Sequence, residues 1–108
     1  MSNATEKKYV RQVDASTLVS QIGAMNIMAI SGGLVIPRKT GITLPVGDGY
    51  SVEIDLNFMD FYDVKRVYTE GETRVIKGEA EDVDCFSIGE IAYRASCYVN
   101  VSFGEDKR

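Results

Sequence analysis

Tyr50-Ser51-Val52-Glu53-Ile54-Asp55-Leu56-Asn57 is the stretch that decides the fold. Apolar and polar residues alternate, so Tyr50, Val52, Ile54 and Leu56 share one face while Ser51, Glu53, Asp55 and Asn57 share the other. A period of two is that of a half-buried strand. Reading toward the C-terminus, Tyr62 to Thr69 predicts a second strand, Glu70-Gly71-Glu72 a turn, and Thr73 to Ala80 the returning strand. A short extended piece through Val83 completes this sheet. On charge, Arg66, Lys77 and Glu79 are assigned to water.

Reading toward the N-terminus, residues 37–49 hold both prolines and several glycines and predict mainly loop, with a short extended piece at Ile42 to Leu44. Before it, Asn26 to Ser31, Gly32-Gly33 and Leu34-Val35-Ile36 have the pattern of two buried strands around a two-residue turn. Pro37 ends the second of these strands or puts it at an edge. Asp14 is placed to cap a helix whose apolar face is Leu18, Val19 and Ile22, with Val13 packing on Leu18 and Gly23 ending it. At the other end Ser87-Ile88-Gly89-Glu90 has the form of a capping box, with Phe86 set to pack on Ile91. Ile88, Ile91, Ala92, Ala95 and Val99 continue it as one helical stripe.

The expected fold is α+β: a mainly antiparallel sheet of about five strands with an N-terminal and a C-terminal helix packed on it. The expected domain spans residues 14–100, between an N-terminal extension at 1–13 and a frayed tail at 101–108. Ser2-Asn3-Ala4 has the form of an expression-tag remnant, and no apolar stretch follows the basic residues near the N-terminus to make a secretory signal. Ala15 to Pro37 is uncharged and long enough for a bilayer, but Ser16, Thr17, Ser20, Gln21, Asn26 and Ser31 with Gly32-Gly33 argue against a membrane span.

The chain has 108 residues, 12 Lys and Arg against 16 Asp and Glu, and a net charge of −4. That size supports one domain without staples. Histidine is absent, which removes the commonest general base and metal ligand and with it every His-dependent triad. Cys85 and Cys97 flank a predicted helix, about 15 Å or more apart, so they read as free thiols of a reducing, cytoplasmic compartment. Cys85, ahead of the helix start, is the more reactive of the two in principle. Neither a cofactor nor a metal site is expected.

Three groups of residues carry the functional candidates. Asp48 followed by Asp63-Val64-Lys65 is the D…D-x-K pattern of a Mg²⁺-dependent nuclease, set against the commoner explanation of charges paired on an exposed strand face. Phe58, Met59, Phe61 and Tyr62 crowd one strand connection, and whichever stay exposed are anchor material for a protein partner, a foreign target or a second copy of the chain. Glu79, Glu81, Asp82 and Asp84 form an acidic run in a half of the chain, residues 51–108, whose net charge is −6 (7 basic, 13 acidic). Such a face fits a basic partner groove, though a solvated loop before a helix explains it more simply. Arg38-Lys39 among loop glycines is a weak anion-binding pattern, and the acidic balance argues against nucleic acid as a partner.

Gln21 to Gly33, Thr40-Gly41-Ile42-Thr43-Leu44-Pro45-Val46, Gly49-Tyr50-Ser51-Val52, Ile76-Lys77-Gly78-Glu79 and Gly89 to Cys97 together resemble a family of small proteins encoded by actinobacterial phages and prophages. The resemblance covers roughly residues 15–98. It implies an origin and carries over no catalytic or binding residue. The expectation is a non-enzymatic phage or mobile-element accessory protein that binds a host or phage protein, such as an inhibitor of a host defence system of the anti-CRISPR kind. The alternatives are the metal-dependent nuclease and a homo-oligomeric virion or structural component.

Overall fold

The strand at 50–56 forms as expected, within a five-stranded sheet whose spatial order repeats its order along the chain. In the computed structural model, which describes residues 13–97, the elements are α1 (Ala15–Ile22), α2 (Ala24–Ser31), β1 (Ile36–Pro37), β2 (Gly41–Gly47), β3 (Tyr50–Leu56), β4 (Tyr62–Glu70), β5 (Thr73–Val83) and α3 (Ile88–Cys97). Every neighbouring pair of strands is antiparallel. The fold is α+β, with two helices before the sheet and one after it. The expected N-terminal extension, the frayed tail and Val99 lie outside the described residues.

Cross-strand partners show how the pleat sorts side chains. Leu44 pairs with Val52, Ile42 with Ile54, and Ile54 with Val64, which in turn pairs with Ala80. All are buried, and they join Leu18, Ile22, Ile27, Ile30, Ile88, Ile91, Ala92 and Ala95 of the helices in one core. Each fully buried aliphatic contributes roughly 1.5–3 kcal/mol. The opposite face carries the polar row Thr43, Glu53, Lys65 and Glu79, which are consecutive partners across four strands. There Arg74 pairs with Glu53.

The expected buried hairpin at 26–36 is corrected. Residues 24–31 are helical, with Ile27 and Ile30 turned inward and Met25 and Met28 turned to solvent. A short apolar run does not by itself separate strand from helix. Gly23, at φ 99°, ends α1 through its N–H to Val19 O and starts α2 without a connecting loop. Asn26 Nδ2 donates to Ile22 O at 2.9 Å across this break. The uncharged segment tested against a bilayer is thus two eight-residue helices and a short edge strand, and no helix among the described residues is long and apolar enough to cross a membrane.

The expected loop at 37–49 is also corrected, because most of it is β2. Pro45 is tolerated there because β1 pairs only with Ile42 and Thr43, leaving Pro45 on an open edge, and because the register shifts between Pro45 and Gly47. Of the expected strand Leu34-Val35-Ile36, only Ile36 is kept, joined by Pro37 in a two-residue edge strand.

Three side-chain placements differ from expectation at the C-terminal half. Arg66 is 1% exposed rather than in water, since it sits on the helix-covered face between Val52 of β3 and Gly78 of β5. Phe86 is 93% exposed and does not staple onto Ile91. The Ser87 N–H, which a capping box assigns to Glu90, donates to Asp84 Oδ1 at 2.8 Å, while Glu90 pairs with Arg94 one turn on. Asp14 does cap α1, accepting from Ser16 N. Its three contacts with Ser16 and Thr17 hold its carboxyl below the ordinary aspartate range.

Candidate functional site

The connection from β3 to β4 is built around Asn57, only 2% exposed. Its backbone closes the loop: Asn57 N donates to Phe61 O at 2.8 Å and Asp60 N donates to Asn57 O at 3.1 Å. The amide oxygen accepts from Met59 N and Phe61 N at 2.9 and 3.2 Å. The amide nitrogen donates outward, to Asp63 Oδ1 at 3.1 Å and Asp82 Oδ1 at 2.8 Å. Asp60 takes the left-handed conformation, φ 69°, which aspartate tolerates better than most residues.

Asp82 is part of the same knot. Tyr62 pairs with Val83 and Val64 with Ala80, so β5 carries an extra residue opposite Asp63, and Asp82 adopts φ 58° at that bulge. The Asp82 N–H, displaced from the ladder, donates to Asp63 Oδ1 at 3.1 Å. A buried carboxylate thereby gathers the loop and the bulge, and charge-assisted bonds of this kind are the strong ones.

This arrangement brings together the two sets of candidates that the sequence left apart. Phe58, Met59 and Phe61 are exposed on the loop, and Glu81, Asp82 and Asp84 are exposed beside the Tyr62–Val83 rung. Phe86, cast as a helix staple, follows three residues after Val83 and is the most exposed large apolar side chain of the described residues. The signal that could have found the knot is the turn chemistry of Asn57 and Asp60.

Tyr62 is corrected from partner anchor to core: it is 6% exposed, and its hydroxyl donates to Gln21 Oε1 of α1. Burial pushes its phenol up in pKa, with Cys85 adding to the effect. Glu79 is half-buried in the Lys65 row rather than at the exposed end. Asp84 has an ordinary structural task besides its exposure, since its Oδ1 accepts from Phe86 N as well as Ser87 N.

The nuclease pattern is not assembled. Asp63 faces Asp55 across the β3–β4 ladder, and Asp48 lies seven residues before Asp55 in the β2–β3 turn, which at about 3.3 Å per residue is on the order of 20 Å. Among the described residues no group of three or more His, Cys, Asp or Glu is placed to hold a metal ion. Arg38 is likewise committed: it donates to Asp55 Oδ1 at 2.9 Å, Thr43 Oγ1 at 2.8 Å and Ile42 O at 2.8 Å. Thr40 adds a bond to the same Asp55 oxygen at 2.7 Å. Cys85 and Cys97 are both free and exposed.

Comparison of the chain with family models, with curated proteins and with solved structures returns no match.

Proposed function

We propose that this protein acts by binding another protein, through the end of the sheet formed by the 57–61 loop and the segment from Glu81 to Phe86. The observation that carries this reading is the exposure of Phe58, Met59 and Phe61 together on one loop that a hydrogen-bonded frame ties to Asp82. A fixed apolar cluster needs little ordering on association, so more of its burial is retained as affinity. Asp60 within the loop and Asp82 bonded to Asn57 lie beside it, with Glu81 and Asp84 exposed on either side of Asp82 in the chain, which fits a partner whose surface is basic around an apolar recess. With the resemblance to phage and prophage proteins, the reading becomes an accessory protein that occupies a host effector, of which a defence nuclease is the natural type.

The test is retention of proteins from an actinobacterial lysate by the tagged full chain, beside a Phe58→Ser, Met59→Ser variant shown to be folded by circular dichroism. The expected result is a discrete partner held by the wild type, released by added salt, and not held by the variant. Equal retention by both, or recovery of the chain alone, would overturn the reading. In the latter case a defined oligomer in sedimentation would favour a self-assembling component instead.

A further inference from the structure

The other end of the sheet holds a buried charge of a different kind. Arg66 projects from β4 on the side of Ser96 and Cys97 of α3, and its partner on β5 is Gly78, which has no side chain to offer it. Both terminal guanidinium nitrogens are buried without a hydrogen-bond partner among the described residues. Burial pulls the guanidinium pKa down, against the opposing influence of Tyr50 and Cys97. A buried donor left unmade costs about 1–3 kcal/mol, and more when charged. The chain keeps this cost beside an opening, since Arg66 lines a pocket of about 200 Å³ with Val46, Asp48, Tyr50, Ser96 and Cys97. A water occupies roughly 30 Å³, so the space admits a molecule of several heavy atoms.

We propose that this pocket binds a small monocarboxylate, held by two parallel N–H···O bonds from Arg66. The planar fork of a guanidinium matches a carboxylate in both spacing and charge, and binding turns the Arg66 side chain into the pocket so that each nitrogen, closed off in this structure, gains a partner. Tyr50 lines the same space and its hydroxyl can serve the ligand as a neutral donor, and Val46 offers an apolar wall for the carbon end of the ligand. Charge number separates this ligand from phosphate. Asp48 lines the pocket and puts a fixed negative charge beside Arg66. That potential tolerates one negative charge against Arg66 and repels a second. The site lies at the far end of the β3–β4 ladder from Asn57, so it stands independently of the protein-binding surface.

The test uses the full chain at neutral pH, titrated with sodium acetate, sodium phosphate or sodium chloride at matched ionic strength. Backbone amide NMR follows Gly47, Asp48 and Ser96, and a thermal scan gives the melting temperature. Acetate should give saturable shifts at these amides and a melting temperature that climbs with its concentration by mass action. Arg66→Leu should weaken acetate binding by roughly tenfold or more, the worth of one charge-assisted hydrogen bond. Asp48→Asn, in an exposed turn at φ 56° that asparagine accepts, should instead tighten it by a few-fold. Shifts no larger than those of chloride, or an acetate response unchanged in folded Arg66→Leu, would overturn the site. Phosphate binding tighter than acetate, or weaker acetate binding in Asp48→Asn, would overturn the monocarboxylate assignment. The Asp48 variant decides the matter if the Arg66 variant does not fold.

Discussion

Asn57 and Arg66 are equally buried, at 2% and 1% exposure, toward opposite ends of the same pair of strands, yet the protein treats them in opposite ways. Asn57 has its amide saturated, with two acceptor and two donor contacts that tie a loop, a strand and a bulge together. Arg66 has two terminal nitrogens with no hydrogen-bond partner among the described residues. Burial alone therefore does not tell what a polar residue is for. The satisfied one is paid back within the fold; the unsatisfied one lowers stability and points to a partner from outside the described chain.

The largest effect expected from breaking this contrast is at Asn57. Asn57→Leu keeps the size of the side chain but orphans the Met59 and Phe61 amides and removes a donor from Asp63 and Asp82. A loss of about 3 kcal/mol is expected, read as a lower urea midpoint at unchanged slope. Arg66→Leu should move the other way or not at all, from neutral to about 2 kcal/mol more stable in the same assay. A destabilisation equal to that of Asn57→Leu would show that Arg66 has a structural partner and end the contrast. Phe58→Ser with Met59→Ser should change stability by no more than about 0.5 kcal/mol, because both side chains are already in water. A larger loss would mean the loop packs on the core.

The smallest effect belongs to Asp14, a satisfied polar group like Asn57 but on the surface. Its folded pKa lies below the ordinary value of 3.8, so the stability it gives is present above that pH and is lost as pH falls through the folded value. The melting-temperature gap between wild type and Asp14→Ala should accordingly narrow below pH 3.8 and stay constant above it. A gap that widens on acidification would reverse the sign of that linkage.

What was legible in the sequence follows from how strongly each segment expressed one period. β3 alternates polar and apolar residues throughout and β4 does so as far as Lys65, and the pairing of β4 with β5 through the turn at Gly71 matches the reading. α2 did not show itself because Ala24–Ser31 is apolar on nearly every side, which hides a period of 3.6. β2 was hidden by Pro45 and by glycines at both its ends, residues that serve turns more often than strands. Arg66 is the instructive case. Tyr62, Val64, Arg66 and Tyr68 fall on one face by simple alternation, and that face is the covered one. The charge of Arg66 argues for water and its period for the core, and in the structure the period prevails. For the partner surface, the apolar loop was visible, but its union with the acidic run depends on a bulge at Asp82 that nothing local announces.

Because the strand order follows the chain order, most native contacts can form between near neighbours in sequence, and loop-closure entropy is low for the whole sheet. The exception is the seat of α3 on the junction of α1 and α2. There a Cβ added at Gly89 would lie 2.5 Å from Ile22 O and 2.7 Å from Asn26 Nδ2, so the helices meet backbone to backbone across most of the domain's sequence. Folding should then proceed by early zipping of β3, β4 and β5, with this closure as a late step. Gly89→Ala is expected to speed unfolding while leaving the refolding rate nearly untouched, which stopped-flow chevrons would read directly. A variant that slowed refolding instead would place the helix junction in the nucleus. The same glycine that lets the helices touch thereby sets how long the native state, once formed, persists.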